Sequence, residues 1–235
     1  MRTIIDLFER SCEKFPNNPY LWEKKKGRFA ATSYIEVKRE VLNFASALCQ
    51  LGMNRGDRVA LLSEGCNDWV YSELGMLYAG GVNVPLSIKL TDNEIVFRVE
   101  HSQARFLIVS ANFLSRVRGI EGRMGGVEKI IVLHSDINEG KYVSFEQLQR
   151  EGESWRGEHE KLLNARIHAV TEDDLKKMAD FLEKTPIHVE RSGKPYLFDI
   201  QVRLFGGGHT AFAEIAGHHT NVIALQRDGE VLLQK

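Results

Sequence analysis

Between Arg58 and Leu133 the chain alternates short apolar runs with amphipathic helical segments, and this alternation restricts the fold more than any other feature. The apolar runs are Arg58-Val59-Ala60-Leu61-Leu62-Ser63, Gly81-Val82-Asn83-Val84-Pro85-Leu86, Phe106-Leu107-Ile108-Val109 and Lys129-Ile130-Ile131-Val132-Leu133. They are too short for core helices and too evenly apolar to keep a solvated face, as expected of parallel strands covered on both sides. Helical spacing occupies Asn67 to Tyr78, Thr91 to His101 and a stretch from Ala111, with Thr91 and Glu94 spelling a capping box. Strand–helix–strand units of this length make right-handed βαβ crossovers. The predicted class is therefore α/β with a largely parallel sheet.

Upstream, Thr3 to Glu13 has helical spacing through Ile4, Leu7, Phe8 and Cys12. Tyr20-Leu21-Trp22 and Phe29-Ala30-Ala31 flank Lys24-Lys25-Lys26-Gly27, which predicts a hairpin whose lysine run is a solvated turn. Ser33 and Glu36 form a second capping box ahead of Tyr34, Val37, Val41, Phe44, Ala45, Leu48 and Leu51, one apolar helical face that Gly52 closes. Phe44 and Trp69 read as core residues.

Downstream the texture changes. The polar, glycine-containing stretch Gly152 to Glu160 predicts a boundary, dividing the chain into residues 1–155 and 162–235. The second segment opens with a helix from Val170 to Leu182 that Pro186 stops. Tyr196, Phe198, Ile200, Val202 and Leu204 then alternate with polar residues, Gly206-Gly207-Gly208 turns the chain, and Thr210 to Ile215 and Thr220 to Leu225 follow. Asp228-Gly229 turns into Glu230-Val231-Leu232-Leu233, so this segment reads as a small α+β unit with an antiparallel meander.

Composition narrows the partners. The 235 residues carry a formal net charge of −1, which supplies no electrostatic attraction for nucleic acid. Cys12, Cys49 and Cys66 are too scattered for a disulfide framework or a zinc site and read as reduced thiols. The longest uncharged run, Leu74 to Ile88, is too short for a transmembrane segment and is broken by Gly80, Gly81 and Pro85. With no basic and apolar leader at Met1, a cytoplasmic protein is expected.

Residues 1–155 resemble the N-terminal region of AMP-forming acyl-CoA synthetases, the long-chain fatty acid type in particular. The resemblance rests on an ordered series: Thr32-Ser33-Tyr34, Ala45, Leu48, Leu51-Gly52, Gly56-Asp57-Arg58-Val59-Ala60, Asn67, Trp69, Ala79-Gly80-Gly81, Val84-Pro85-Leu86, Ser102 and Ala104-Arg105-Phe106-Leu107-Ile108. It implies a partial subdomain of an adenylate-forming enzyme, a fatty acid–CoA ligase that uses ATP, Mg²⁺ and CoA. Such chemistry needs a Ser/Thr/Gly-rich phosphate loop carrying a lysine. This sequence has no Ser/Thr/Gly–Pro–Lys–Gly loop, so the resemblance supplies no catalytic residue, and no cofactor is expected for this chain alone. A truncated sheet would leave an open edge, which implies self-association or a partner protein covering it.

Residues 162–235 look like the middle of the L-cysteine desulfidase family, which is related to serine dehydratase α-subunits. Ala169-Val170-Thr171-Glu172, Pro195, Gly208-His209-Thr210-Ala211, Ile215, His219-Thr220-Asn221-Val222 and Asp228-Gly229-Glu230-Val231-Leu232 carry that likeness. It implies an amino-acid-binding role for His219, Thr220 and Asn221, the candidate substrate-binding residues. It also implies an iron–sulfur cluster, but every cysteine lies outside this segment, so the ligands are absent. The alternatives to the ligase fragment are thus a lyase-related module or a chance fusion of two partial proteins.

Other motifs reduce to structure. Adjacent strand histidines point to opposite faces, so only one of His218 and His219 could join His209, and no third metal ligand is evident. Gly206-Gly207-Gly208-His209-Thr210-Ala211 lacks the following helix that a dinucleotide site requires. Glu94 and Glu100 read as solvated helix residues.

Overall fold

The structure, a computed structural model, describes residues 3–25, 27–167, 187–191, 194–198, 200–202, 213–215, 226–227 and 230–231. The chain divides into two units, one of residues Glu9–Ala169 and one joining Met1–Phe8 to Val170–Lys235.

The larger unit is α/β, as the alternation predicts. Its strands β3 (Arg58–Leu62), β4 (Val82–Leu86), β5 (Phe106–Ser110), β6 (Lys129–Leu133) and β7 (Tyr142–Ser144) form one sheet in the order β4-β3-β5-β6-β7. All four ladders are parallel. Ahead of the sheet lie α1 (Ile4–Lys14), the antiparallel hairpin β1 (Pro19–Lys25) and β2 (Arg28–Ser33), and α2 (Tyr34–Gln50). The crossovers are α3 (Asn67–Tyr78), α4 (Asp92–His101) and α5 (Ala111–Ile120), with α6 (Phe145–Ile167) after β7.

The runs of β3, β5 and β6 are evenly apolar because both faces of the sheet are covered there, whereas the edge strand β4 is only partly buried. Ala60, Leu62, Leu107, Val109, Ile130 and Val132 pack with Ile95, Val96 and Val99 of α4 and Val117 of α5. The alternate positions Val59, Leu61, Phe106, Ile108, Ile131 and Leu133 are also buried and point the other way. There α3 touches β3, α6 touches β6, and α2 packs against both helices.

Both predicted capping boxes are present. The Glu36 carboxylate accepts from the Ser33 N–H at 2.8 Å and from its hydroxyl at 2.6 Å. The Glu94 carboxylate accepts likewise from Thr91, at 2.7 Å from each donor. Such caps contribute about 1 kcal/mol each. Gly52 follows α2 at φ +79°, and the Met53 N–H reaches back to the Leu48 carbonyl at 3.0 Å. Phe44 is fully buried, whereas Trp69 is half-buried and Glu94 and Glu100 are exposed.

The largest departure from expectation is α6. The polar stretch predicted as a boundary lies inside this helix, with non-helical backbone only at His159 (φ −126°, ψ 22°). Among the positions of α6 whose burial is described, Phe145, Leu148, Gln149 and Gly152 are buried, spaced i, i+3, i+4 and i+7. Two of the four are not apolar, which hides the helical period. Gly152 lies so close to α2 that a Cβ there would sit 1.9 Å from the Asn43 carbonyl oxygen and 2.9 Å from the Ala47 nitrogen.

In the smaller unit the described strands are β8 (Ile187–Arg191), β9 (Lys194–Phe198), β10 (Ile200–Val202), β11 (Ala213–Ile215), β12 (Gln226–Arg227) and β13 (Glu230–Val231). They pair antiparallel as β8–β9, β10–β11 and β12–β13. The predicted helix Val170 to Leu182, the Gly206–Gly208 turn and the strand Thr220 to Leu225 lie outside the described residues. No helix among the described residues is long and apolar enough to cross a membrane.

Candidate functional site

The strand order fixes where a site can form. From β3 the chain moves to β4 on one side, then crosses back to β5 on the other, so the order reverses between β3 and β5. At such a reversal the two crossovers leave the sheet in opposite directions and open a crevice outside the carboxyl ends of the strands.

Each strand delivers polar residues to this edge as it ends. Ser63 and Glu64 follow β3, Ser110 ends β5, His134 follows β6 and Ser144 ends β7. The Ser110 hydroxyl, fully buried, donates to Glu64 Oε2 at 2.6 Å, and the Asn112 amide donates to Glu64 Oε1. His134 adopts φ +58°, and its Nε2 lies 3.0 Å from Oδ2 of Asp68 in the first turn of α3. The His134 backbone N–H donates to Glu146 Oε1 at 3.0 Å, and the Ser144 hydroxyl donates to Glu146 Oε2 at 3.1 Å. Asp68, His134 and Glu146 thereby tie α3, β6 and α6 together at the crevice.

The electrostatics are those of an acidic edge. Burial raises the Asp68 carboxyl to about 6; His134 opposes the rise, while Glu146 and Glu23 add to it. Glu64 goes the other way. Burial pushes it up, but hydrogen bonds from Ser110, its own backbone and Asn112 together hold it below the usual glutamate value.

One expected result follows from the raised Asp68 value. The folded protein holds this proton more tightly than the unfolded chain, so Asp68 favours folding at low pH and loses that contribution as pH climbs from 3.8 to about 6. Asp68→Asn removes that slope. Relative to wild type the variant should gain about 3 kcal/mol across this window and hold the gain above it. Urea midpoints at a series of pH values measure this, and parallel profiles for the two proteins would refute it.

The described residues of this edge do not fit a nucleoside triphosphate and its Mg²⁺. The edge presents Glu64, Asp68 and Glu146, which repel phosphate. Among the described residues no three His, Cys, Asp or Glu side chains converge as metal ligands. The motif residues near the amino edge are architectural. Arg105 spans Asp57 at 2.6 Å and Glu128 at 2.7 Å, and Arg58 Nε donates to the Ser102 carbonyl at 2.9 Å.

His219, Thr220 and Asn221 lie outside the described residues, as do His209 and His218. Sequence reasoning missed Glu64, Asp68, His134 and Glu146. The signal that finds them is positional: they are the first polar residues at the carboxyl ends of predicted parallel strands, or open the helices that follow.

Comparison with known proteins fits this architecture. Residues 8–178 match the family described as AMP-binding enzyme. The chain belongs to that family. The AMP-binding match passes the predicted boundary and runs through α6 to residue 178, and nothing in these comparisons supports the desulfidase likeness expected of residues 162–235. The crotonobetaine/carnitine–CoA ligase of Escherichia fergusonii is 30% identical over 89 residues, covering 38% of this chain and 17% of that protein. Long chain acyl-CoA synthetase 1 of Arabidopsis thaliana is 33% identical over 112 residues, covering 46% of this chain and 17% of that protein. The AMP-binding chain thus spans less than a fifth of the length of these curated relatives. Among solved structures, the anthranilate CoA ligase AuaEII, crystallised with anthranoyl-AMP, aligns with TM-score 0.58 at 23% identity, over 90% of this chain and 34% of its own. A benzoate CoA ligase from Burkholderia xenovorans aligns with TM-score 0.54 at 26% identity, over 64% of this chain and 28% of its own.

Proposed function

We propose that this chain is part of a carboxylate–CoA ligase of the long-chain fatty acid type, and that these 235 residues alone form no acyl-adenylate. The family match over residues 8–178 carries the first half of the reading. The 33% identity to a long-chain acyl-CoA synthetase over 112 residues supports the substrate class. The second half rests on chemistry. In-line displacement at the α-phosphate needs donors around the developing charge; the sequence has no lysine-bearing phosphate loop, and among the described residues the carboxyl edge of the sheet is acidic.

ATP–pyrophosphate exchange tests the inactivity. No exchange above the carboxylate-free background is expected with palmitate, benzoate or crotonobetaine, and measurable exchange with any of them would overturn it. A chimaera tests the substrate class. Residues 8–178 replace the matching segment of the Arabidopsis enzyme, and palmitoyl-CoA formation should survive. A folded chimaera that prefers an aryl carboxylate would sink that assignment.

A further inference from the structure

The β1–β2 hairpin turns its two faces to different uses. Its register pairs Trp22 with Ala31 and Lys24 with Phe29, which places these four residues on one face. Glu23 and Thr32 lie on the other and hold the ribbon to α3. The Asn67 backbone N–H donates to Glu23 Oε1 at 3.3 Å, and the Asn67 side-chain amide donates to Thr32 Oγ1 at 3.3 Å. The free face is therefore displayed, with Trp22 60% and Phe29 71% exposed and Lys24 and Ala31 exposed beside them.

Charge says what such a face fits. Lys24 shares the face of the two rings, and Lys25 and Arg28 pair across the ribbon at its tip, so three described cations stand at this end of the hairpin. Glu23 lies 3.6 Å from Lys25 and offsets only part of this charge. A tryptophan and a phenylalanine standing off a ribbon with a cationic rim match a lipid headgroup boundary, where rings settle among the acyl chains and cations meet anionic phosphates. Nucleic acid fits less well, because its binding needs cations tracking a backbone over many phosphates, whereas these occupy one turn of a chain with net charge −1.

We propose that the β1–β2 hairpin docks this protein on anionic membrane surfaces, Trp22 and Phe29 entering the interface and Lys24 and Arg28 pairing with lipid phosphates. Two weak signals acting together, apolar and electrostatic, are what reversible surface attachment requires.

Flotation with phosphatidylcholine vesicles, with and without phosphatidylserine, tests this. The protein should float with the phosphatidylserine vesicles only, and less as salt rises. Trp22→Ala with Phe29→Ala should lower the bound fraction about tenfold, and Lys24→Glu with Arg28→Glu at least as much. All four positions are exposed, so circular dichroism should match wild type in both variants. Absence of flotation, or undiminished flotation of either variant, overturns the proposal. So does a concentration-dependent dimer, by light scattering, that the aromatic variant abolishes, since a second copy would then cover the face. Binding to a single-stranded oligonucleotide without binding to vesicles also overturns it.

Discussion

Gly152→Ala should destabilise the protein by about 3 kcal/mol or more, whereas Gly157→Ala, five residues along the same helix, should stabilise it by about 0.5–1 kcal/mol. The opposite signs come from one helix meeting two environments. At Gly152 an added methyl would lie 1.9 Å from the Asn43 carbonyl oxygen and 2.9 Å from the Ala47 nitrogen. Both obstacles are backbone atoms of α2, which no side-chain rotation can move. At Gly157 nothing lies within 4 Å, so alanine only removes the entropy that glycine loses on joining a helix. Polar bonding cannot compensate for opening the α2–α6 contact. Oδ1 of Asn43 on α2 and both side-chain amide atoms of Gln149 on α6 are buried without hydrogen-bond partners among the described residues. Close approach holds this seam together. Thermal melts of the two variants decide the matter; a Gly152→Ala protein as stable as wild type would mean that α6 does not seat on α2 as described.

The same contact explains what could be read from the sequence and what could not. Strands β3, β5 and β6 were legible because each is buried on both faces and has no polar alternation to confuse with a helix, while the edge strand β4 was legible as a short run between Gly81 and the α4 cap. The hairpin and both capped helices were legible through local chemistry, since turns and caps use few residue types. Helix α6 was not. Its buried stripe passes through Gln149 and Gly152, so a polar amide and a glycine stand where the periodicity calls for apolar side chains. Glycine there reads as a breaker in sequence, yet it is what allows the helices to touch. Strand β7, only Tyr142–Ser144, is too short to show a period. The candidate site failed to appear for another reason. Glu64, Asp68, His134 and Glu146 come from separate segments, and only the sheet order brings Asp68, His134 and Glu146 together.

Phe44→Ala should cost about 3–5 kcal/mol, and its coupling to Gly75 should show how α2 is wedged between its neighbours. Phe44 is fully buried, with its ring centroid 4.8 Å from that of Phe145 at the start of α6. On the opposite side, a methyl on Gly75 of α3 would meet Phe44 Cδ1 at 2.7 Å. One ring thus fills the space that sets both helix contacts. Gly75→Ala alone must push that ring aside and should cost about 1–3 kcal/mol. With Phe44 already truncated the obstruction is gone, and only ordinary crowding remains, at 3.2 Å from Phe44 Cβ and from the Val41 carbonyl. The second substitution should then cost about 1 kcal/mol less than it does in wild type, a coupling that a double-mutant cycle by urea unfolding would resolve. Strict additivity would show that Phe44 is not the shared contact. The consequence reaches the carboxyl edge. Asp68 opens α3, and Glu146 follows Phe145 on α6, so both groups that hold His134 ride on helices spaced by this ring. If the wedge is as described, Phe44→Ala should also shift the His134 ring resonances in NMR spectra, because the Asp68 contact 3.0 Å away depends on where α3 sits.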